Sequence, residues 1–309
     1  MSFSSFLKVV GMLLVFIVAP LLLGWFWMRD YVAPKPAVGI IRMNMDVWAG
    51  SNLLLTKQIE AVRDNTSIRA VVVQIDSPGG EVVSGQNMYM ELQNLRREMP
   101  VVGSIDNMAA SGGYYIAMAV DPIFAKPSSN VGNVGVWSFA PPDLGVNDVV
   151  LASGPFKMTA SSRDEFLRDI DGIKEEFMEI VYSQRGERMK ISKSELSQGL
   201  LYKGREAIEL GLIDQIGTQT EAIEFAAEQV GISEYETIDM LDVVFMDMFG
   251  QPAPMLKPVT QLINPDTEQP YIEPWYGTVN PQTGSRNLPL GIYMLYDPLT
   301  WERIGEPYE

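Results

Sequence analysis

The longest apolar stretch of the chain lies near its N-terminus. Residues 9–28 are twenty consecutive positions without a charged side chain, which is the length that a helix needs to cross the hydrocarbon core of a bilayer. Trp25 and Trp27 stand beside Arg29, as in an interfacial aromatic belt, and Lys8 flanks the other end. The pattern predicts a single transmembrane helix over 9–28. A cleaved signal peptide is the alternative, but its apolar core is usually shorter and no Ala-x-Ala site follows the run.

Beyond a short linker that contains Pro34 and Pro36, strand-like and helix-like patterns alternate. Apolar and β-branched residues dominate 38–43, 69–75 and 100–105, which predicts three strands. In the two intervening stretches, apolar residues recur at steps of three and four, which predicts amphipathic helices. In the first stretch these positions are Leu55, Ile59 and Val62, which follow a predicted cap at Ser51. In the second they are Met88, Leu92 and Leu95, which follow Ser84. The βαβαβ order predicts an α/β fold with a largely parallel sheet and right-handed crossovers.

Helix signals continue through the second half of the chain. Capping boxes at Ser162 with Glu165 and at Thr218 with Glu221 predict the starts of two further helices, and 204–211 has the pattern of a short helix that ends at a glycine. We place the end of this domain at about Val244. The chain is thereby divided into an anchor and linker over 1–36, an α/β domain over 37–244 and an extension over 245–309.

Composition removes several classes of function. The chain has 23 Lys and Arg against 39 Asp and Glu, a formal net charge of −16, and so acidic a protein is a poor partner for nucleic acid. It has no His and no Cys, which excludes Ser-His-Asp and Cys-His catalysis, zinc sites built on those residues, and disulfides. Any nucleophile must be Ser, Thr or a carboxylate, and any base must be Lys, Asp, Glu or Tyr. We predict no metal and no cofactor.

Two segments rich in small residues carry the candidate chemistry. Asp76-Ser-Pro-Gly-Gly80 ends the second predicted strand, and Met108-Ala-Ala-Ser-Gly-Gly-Tyr-Tyr115 follows the third. The carboxyl ends of parallel strands meet at one edge of a sheet, so these segments should be neighbours. Ser111 precedes a predicted apolar helix, where its oxygen would meet an incoming carbonyl, and the N–H groups of Gly112 and Gly80 would face the developing negative charge. Taken singly, each segment is as readily an ordinary turn or cap.

The order of these motifs resembles the signal peptide peptidase A family, which has the ClpP/crotonase fold of repeated ββα units. The similarity runs from about residue 38 to about residue 231 and includes 75–80, 108–115, 132–135 and 211–217. The resemblance implies that Ser111 is the nucleophile of a serine peptidase. It also implies that the base is Lys157, in Ser153-Gly-Pro-Phe-Lys157.

The same resemblance implies how substrate and subunits are arranged. The peptide should lie beside the segment that follows Gly80, with Gly79, Glu81 and Val82 along the groove. Family members form rings with active sites at subunit contacts, which implies a homo-oligomer.

The identity of the base depends on the surroundings of three lysines. Lys157 can act as a base only when it is neutral, and burial lowers the pKa of a lysine; its neighbours at 155, 156 and 158 are apolar. Lys126, at a predicted strand-end turn, and Lys174, on the long predicted helix, are the rival bases. The chain departs from the family at Asn133, where the family usually has the serine that orients the lysine. The amide oxygen of Asn133 can also accept from an ammonium.

The resemblance implies a membrane-anchored serine endopeptidase that cleaves apolar peptides such as remnants of signal peptides. Its partners would be a peptide substrate, membrane lipid around 9–28 and further copies of the chain. Positive charges flank 9–28 on both sides, so the family's placement, rather than the charges, favours an inner-membrane protein with an extracytoplasmic domain. A weak or inactive homologue that acts as a scaffold in a membrane assembly is the alternative. An acyl-CoA enzyme is disfavoured, because the part after residue 35 has a net charge of −18 and would repel the phosphates of CoA.

The C-terminal extension combines prolines with aromatic residues. Residues 251–309 hold ten of the twenty prolines and seven aromatic side chains, whereas disordered tails are poor in aromatic residues. We therefore expect an extended segment packed on a surface, with 291–296 as a strand added to an open sheet edge. If that strand lay across the groove near Gly80 it would inhibit the protein, and if it held a partner it would support an assembly.

Overall fold

The computed structural model describes residues 11–27, 35–139 and 153–250, together with the strand 292–295. At the N-terminus a π-helical turn, Leu14–Val18, leads into the helix α1, Ala19–Trp27. Large apolar side chains between Met12 and Trp25 are exposed along this segment. Among the described residues, no helix is both long and apolar enough to span a membrane. Positions 9, 10 and 28 of the predicted anchor lie outside the described residues.

A largely parallel sheet forms the centre of the domain. Its central strands are β1 (Ala37–Met43), β2 (Ile68–Ser77), β4 (Val101–Ala110) and β5 (Ile123–Ala125), in that spatial order. β10 (Glu236–Asp239) lies beside β1 and β9 (Gln215–Ile216) beside β5, both in parallel. β6 (Asn130–Gly132) pairs in parallel with the end of β4, and β8 (Leu201–Lys203) is antiparallel to β6. The predicted α/β fold with a largely parallel sheet is confirmed.

Helices cover both faces of this sheet. On one face α2 (Ala49–Asp64), α3 (Val82–Glu98) and α4 (Gly112–Ala117) share a core cluster with Val71 and Val73. On the other face the alanines of α8 (Gln219–Gln229) pack against Ala70 and Val72. Successive strand residues point to opposite faces, so a strand covered on both sides must be apolar at nearly every position. This explains the continuous apolar run that predicted β2.

Most helix starts agree with their predicted caps. Ser162 caps α5 (Arg163–Arg185) by accepting from the N–H of Glu165, and the box at Thr218 opens α8. The predicted cap at Ser51 is wrong: α2 begins at Ala49, and Oγ of Ser51, inside the first turn, accepts from the N–H of Trp48 at 2.9 Å. The apolar periodicity of α2 starts only at Leu55, so it does not reveal the turn before it. The remaining helices are α6 (Lys193–Leu196), α7 (Gly204–Glu209) and α9 (Met240–Phe249), the last of which continues past Val244.

A second, smaller sheet consists of three short strands. β3 (Gly79–Glu81) and β7 (Trp137–Ser138) lie on either side of β11 (Ile292–Leu295), and β11 is antiparallel to both. The strand predicted within 291–296 is therefore confirmed over 292–295. The predicted packing of the rest of 251–309 falls outside the described residues.

Candidate active site

The two motif segments meet at the carboxyl edge of the central sheet. The register pairs Ser77 with Ala109. Nδ2 of Asn107 donates to Asp76 at 2.6 Å, and the N–H of Met108 donates to the same carboxylate at 3.2 Å. Burial raises the pKa of Asp76, and these two hydrogen bonds oppose the rise. The predicted juxtaposition of the segments is confirmed, with Asp76 as the side chain that joins them.

Ser111 occupies a sharp turn between β4 and α4. Its backbone has φ 53° and ψ −120°, a region that costs a residue with a Cβ on the order of 1–3 kcal/mol. Its N–H donates to the carbonyl of Gly132 at 2.8 Å, and its own carbonyl accepts from the N–H of Tyr115 at 2.9 Å. The residue is only 2% exposed. A strained strand-to-helix turn of this kind presents a serine oxygen at the top of a sheet, as nucleophilic serines of α/β enzymes require.

Glycines bring the backbone of α4 close to β2. A Cβ on Gly113 would lie 2.5 Å from the carbonyl oxygen of Ser77, so only glycine allows the approach. Gly112 is the first residue of α4. The first N–H groups of a helix have no acceptor within it, which is the property that the predicted oxyanion role of Gly112 requires.

β3 is held at its position by a bridge to Val47. The N–H of Val47 donates to Gly79, and the N–H of Glu81 donates to Val47, both at 2.8 Å. Since backbone groups of successive strand residues point to opposite sides, the N–H and C=O of Gly80 face away from Val47. A Cβ on Gly80, whose φ is 156°, would lie 1.9 Å from the oxygen of Val47. The predicted oxyanion donor thus sits where no other residue fits.

The predicted groove residues form one short wall. Gly79 and Glu81 belong to β3, and the carboxylate of Glu81 accepts from Oγ of Ser84 at 2.8 Å. Val82 begins α3 and is buried, so the extended part of the wall ends at Glu81. The opposite wall, β7, was not found by sequence reasoning, because two residues are too few to show a strand pattern.

Asn133 lies next to the turn of Ser111. It follows Gly132, whose carbonyl accepts from Ser111, and it has φ 54°. Its Nδ2 donates to the carbonyl of Gly199 at 2.7 Å, which directs the oxygen of the same amide away from Gly199. The structure thus brings Ser111, Gly112, Gly80 and Asn133 together at one edge.

Lys157, the predicted base, belongs to a different segment of the chain. It is exposed within the turns that precede α5, and its N–H donates to Gly154 at 3.2 Å. In the part of the chain that the structure describes, no hydrogen bond joins Lys157 to Ser111. The rival Lys126 pairs with Asp106, and Lys174 is half-buried on α5.

Aromatic residues that sequence reasoning assigned only to an apolar helix anchor α4. The hydroxyl of Tyr114 donates to Leu212 at 2.8 Å. The ring of Tyr115 packs edge-on between Tyr89 and Phe177, at centroid distances of 5.3 and 5.1 Å. Two tyrosines directly after the Ser-Gly-Gly turn are the signal that could have indicated this anchoring.

A buried ion pair supports the segment on which Tyr114 rests. Arg185, 2% exposed, donates to both oxygens of Asp214 at 2.8 and 2.7 Å and to the carbonyl of Gly211 at 2.7 Å. Burial raises the pKa of Asp214, but the hydrogen bonds and charge of Arg185 outweigh burial and hold that pKa below its usual range. The pair therefore fixes the chain behind α4 and acts on the site indirectly.

The chain is similar in sequence to known proteins. The chain matches the family model Peptidase family S49 over residues 93–233 and the model Clp protease over residues 37–131. The protein slr0021 of Synechocystis sp., named as a candidate protease, is 31% identical over 239 residues, which cover 73% of this chain and 83% of that one.

Two longer relatives carry protease names. The chloroplastic serine protease SPPA of Arabidopsis thaliana is 27% identical over 203 residues, which cover 61% of this chain and 30% of that protein. Protease 4 of Haemophilus influenzae is 28% identical over 190 residues, which cover 57% of this chain and 31% of that protein. The chain thus matches less than a third of the length of either. Together with the mixed α/β sheet, these matches establish that the chain belongs to peptidase family S49, the signal peptide peptidase A family.

Proposed function

We propose that the protein is a membrane-anchored serine endopeptidase that cleaves extended apolar peptides with Ser111 and Lys157. The observation that carries the proposal is the strained turn of Ser111 between two candidate amide donors, Gly112 and Gly80, beside the short strand β3. Proteases of this kind need a nucleophile, an oxyanion site and a strand edge that can pair with the substrate backbone. Candidates for all three lie at one edge of the sheet, with β3 as the strand.

The proposed reaction has two halves. Oγ of Ser111 attacks the scissile carbonyl while its proton passes to the neutral Nζ of Lys157, and the N–H groups of Gly80 and Gly112 donate hydrogen bonds to the oxyanion. The C–N bond then breaks, and the proton moves from Lys157 to the departing amine, which leaves an acyl-enzyme. In the second half, water gives a proton to Lys157 and attacks the ester, and the proton returns to Ser111.

We further propose that Lys157 reaches Ser111 in a neighbouring copy of the chain. Lys157 is exposed, and its neighbours along the chain, Phe156 and Met158, are about half exposed, at 48% and 56%. Exposed apolar groups clustered around a lysine suit a protein contact better than water.

Membrane attachment through 9–28 is part of the same proposal. Large apolar side chains from Met12 to Trp25 are exposed on the N-terminal helical segment, and the sequence run around them lacks charge. We place the domain outside the cytoplasm. Protease shaving of spheroplasts should then digest the domain, and an untouched domain in intact spheroplasts would contradict this placement.

Activity is tested with a quenched apolar peptide and a fluorophosphonate probe on the detergent-solubilised full chain. Ser111→Ala and Lys157→Ala should each lower hydrolysis on the order of a thousandfold or more, whereas Lys126→Ala and Lys174→Ala should leave it near normal. Mixing and co-refolding the two inactive variants should restore part of the activity, because an intact Ser111 then meets an intact Lys157. No restoration would contradict a site shared between copies.

A scaffold role is the second candidate, and the presence of Asn133 where the family usually has serine favours it. A scaffold would show no labelling by fluorophosphonate above that of Ser111→Ala. Labelling that depends on Ser111 would exclude this candidate.

A further inference from the structure

The C-terminal strand β11 occupies the place where an extended peptide would bind. It lies between β3 and β7, with Met294 opposite Gly80 and Tyr293 opposite Trp137. α4, which starts directly after Ser111, contacts both β3 and β11. The chain therefore fills its own groove at the point where the candidate nucleophile lies.

The hydrogen-bonding pattern of β3 leaves one edge for β11. The carbonyl of Val47 accepts from the N–H of Glu81, and the N–H of Val47 donates to the carbonyl of Gly79. The N–H and C=O of Gly80 point to the other side, where the register places Met294. In an antiparallel pair, residues in such positions exchange both backbone hydrogen bonds. The N–H of Gly80, proposed above as an oxyanion donor, is thus turned toward the backbone of Met294.

We propose that Ile292–Leu295 is an internal ligand of the peptide groove, which keeps the protease latent until an extended apolar peptide displaces it. The latency of the protease rests on the proposed function, whereas the occupancy of the groove by Ile292–Leu295 does not. The segment Ile-Tyr-Met-Leu has no charged side chain, and it pairs through its backbone as a substrate strand would. The substrates that compete with it should likewise be uncharged and extended over about four residues.

Chain length makes this occupancy effective. The 41 residues from 251 to 291 tether the strand to the end of α9, and a tether of this number of residues corresponds to an effective concentration of roughly 1 mM. If the free segment bound with a dissociation constant of about 0.1 mM, the tethered segment would weaken a competing peptide about tenfold. Latency of this size can be overcome by substrate and would not block the enzyme outright.

The test measures peptide binding without catalysis. A fluorescein-labelled peptide of residues 289–298 is titrated into the full-length Ser111→Ala protein, alone and with Met294→Pro or Asn287→Pro added. Proline at 294 removes the N–H that faces Gly80, whereas position 287 lies outside the paired strand. Met294→Pro should bind the labelled peptide about tenfold more tightly than the parent, and Asn287→Pro should match the parent. Equal affinities for all three proteins would overturn the proposal.

Hydrogen exchange gives a second readout on the same proteins. The amide of Gly80 should exchange faster in Met294→Pro than in the parent, while the amide of Glu81, which donates to Val47 at 2.8 Å, should not change. An unchanged Gly80 amide would overturn the proposal. Acceleration that depends on protein concentration would assign the strand to a second copy and would also overturn it.

Hydrolysis separates this inference from the proposed function. With Ser111 intact, Met294→Pro should cleave a dilute apolar peptide about tenfold faster than the unaltered chain. If neither protein cleaves any peptide, the proposed function fails while the difference in binding stands. If both cleave at the same rate and bind the labelled peptide equally, latency fails while the proposed function stands.

Discussion

The strain at Ser111 can be measured by comparing two alanine-to-glycine changes at adjacent positions. The comparison starts from Ser111→Ala, so that no protein in the set carries the hydroxyl. Ala110, in β4, is fully buried and has no positive φ, whereas position 111 has φ 53°. Changing either alanine to glycine loses a buried methyl group, worth about 0.8 kcal/mol, and adds about 0.5–1 kcal/mol of backbone entropy to the unfolded chain.

Glycine also relieves backbone strain at position 111, whereas position 110 has no such strain to relieve. We therefore expect Ala110→Gly to destabilise the protein by about 1–2 kcal/mol. Glycine at 111 should be less destabilising than glycine at 110 by about 1–3 kcal/mol. For a domain of this size a difference of 2 kcal/mol corresponds to a Tm difference of about 4–8 °C.

Urea denaturation followed by far-UV circular dichroism, with the slopes compared among variants, gives the free energies of unfolding. Equal costs at the two positions would refute the reasoning, because the turn of Ser111 would then store no strain. A larger cost at 111 than at 110 would refute it more directly. The expected result would mean that stability is given up at this turn, in the pattern typical of functional sites.

Close packing and buried charge make further substitutions informative. Gly80→Ala places a methyl group 1.9 Å from a backbone oxygen, whereas the methyl group of Gly135→Ala meets nothing within 4 Å. Only Gly80→Ala should therefore lower peptide hydrolysis, by about 100-fold if the backbone at position 80 moves by about 1 Å. Arg185→Ala removes the buried partner of Asp214 and should lower the free energy of unfolding by about 3–5 kcal/mol. Arg188→Ala, at an exposed pair, should lower it by less than about 1 kcal/mol. Thermal unfolding ranks the two variants, and the reverse order would contradict the assignment. The pKa of Asp214 is lowered in the folded state. The stabilisation by Arg185 should therefore be complete above the ordinary aspartate pKa of about 3.9 and lost as the pH falls below it. The urea midpoints of the unaltered chain and of Arg185→Ala should converge in acid.

Periodicity and motif order in the sequence determined the architecture and half of the site. A strand buried on both faces must be apolar throughout, and this property alone identified β2. Because parallel strands end at one edge, the positions of Asp76 and Ser111 after successive strands were enough to predict that their segments meet. The uncharged and aromatic stretch at 291–296 also indicated an added strand. These inferences depend on local pattern and on the handedness of α/β crossovers, which the chain encodes directly.

Only the tertiary structure decided which groups face one another. The bridge between Val47 and β3 turns Gly80 toward the groove, and the contact with Gly132 holds Ser111 in its strained turn. It also decided that β11 pairs with β3 and β7. Periodicity reports which side chains are buried, but not the partner or register of a short strand, and those depend on contacts between residues far apart in sequence.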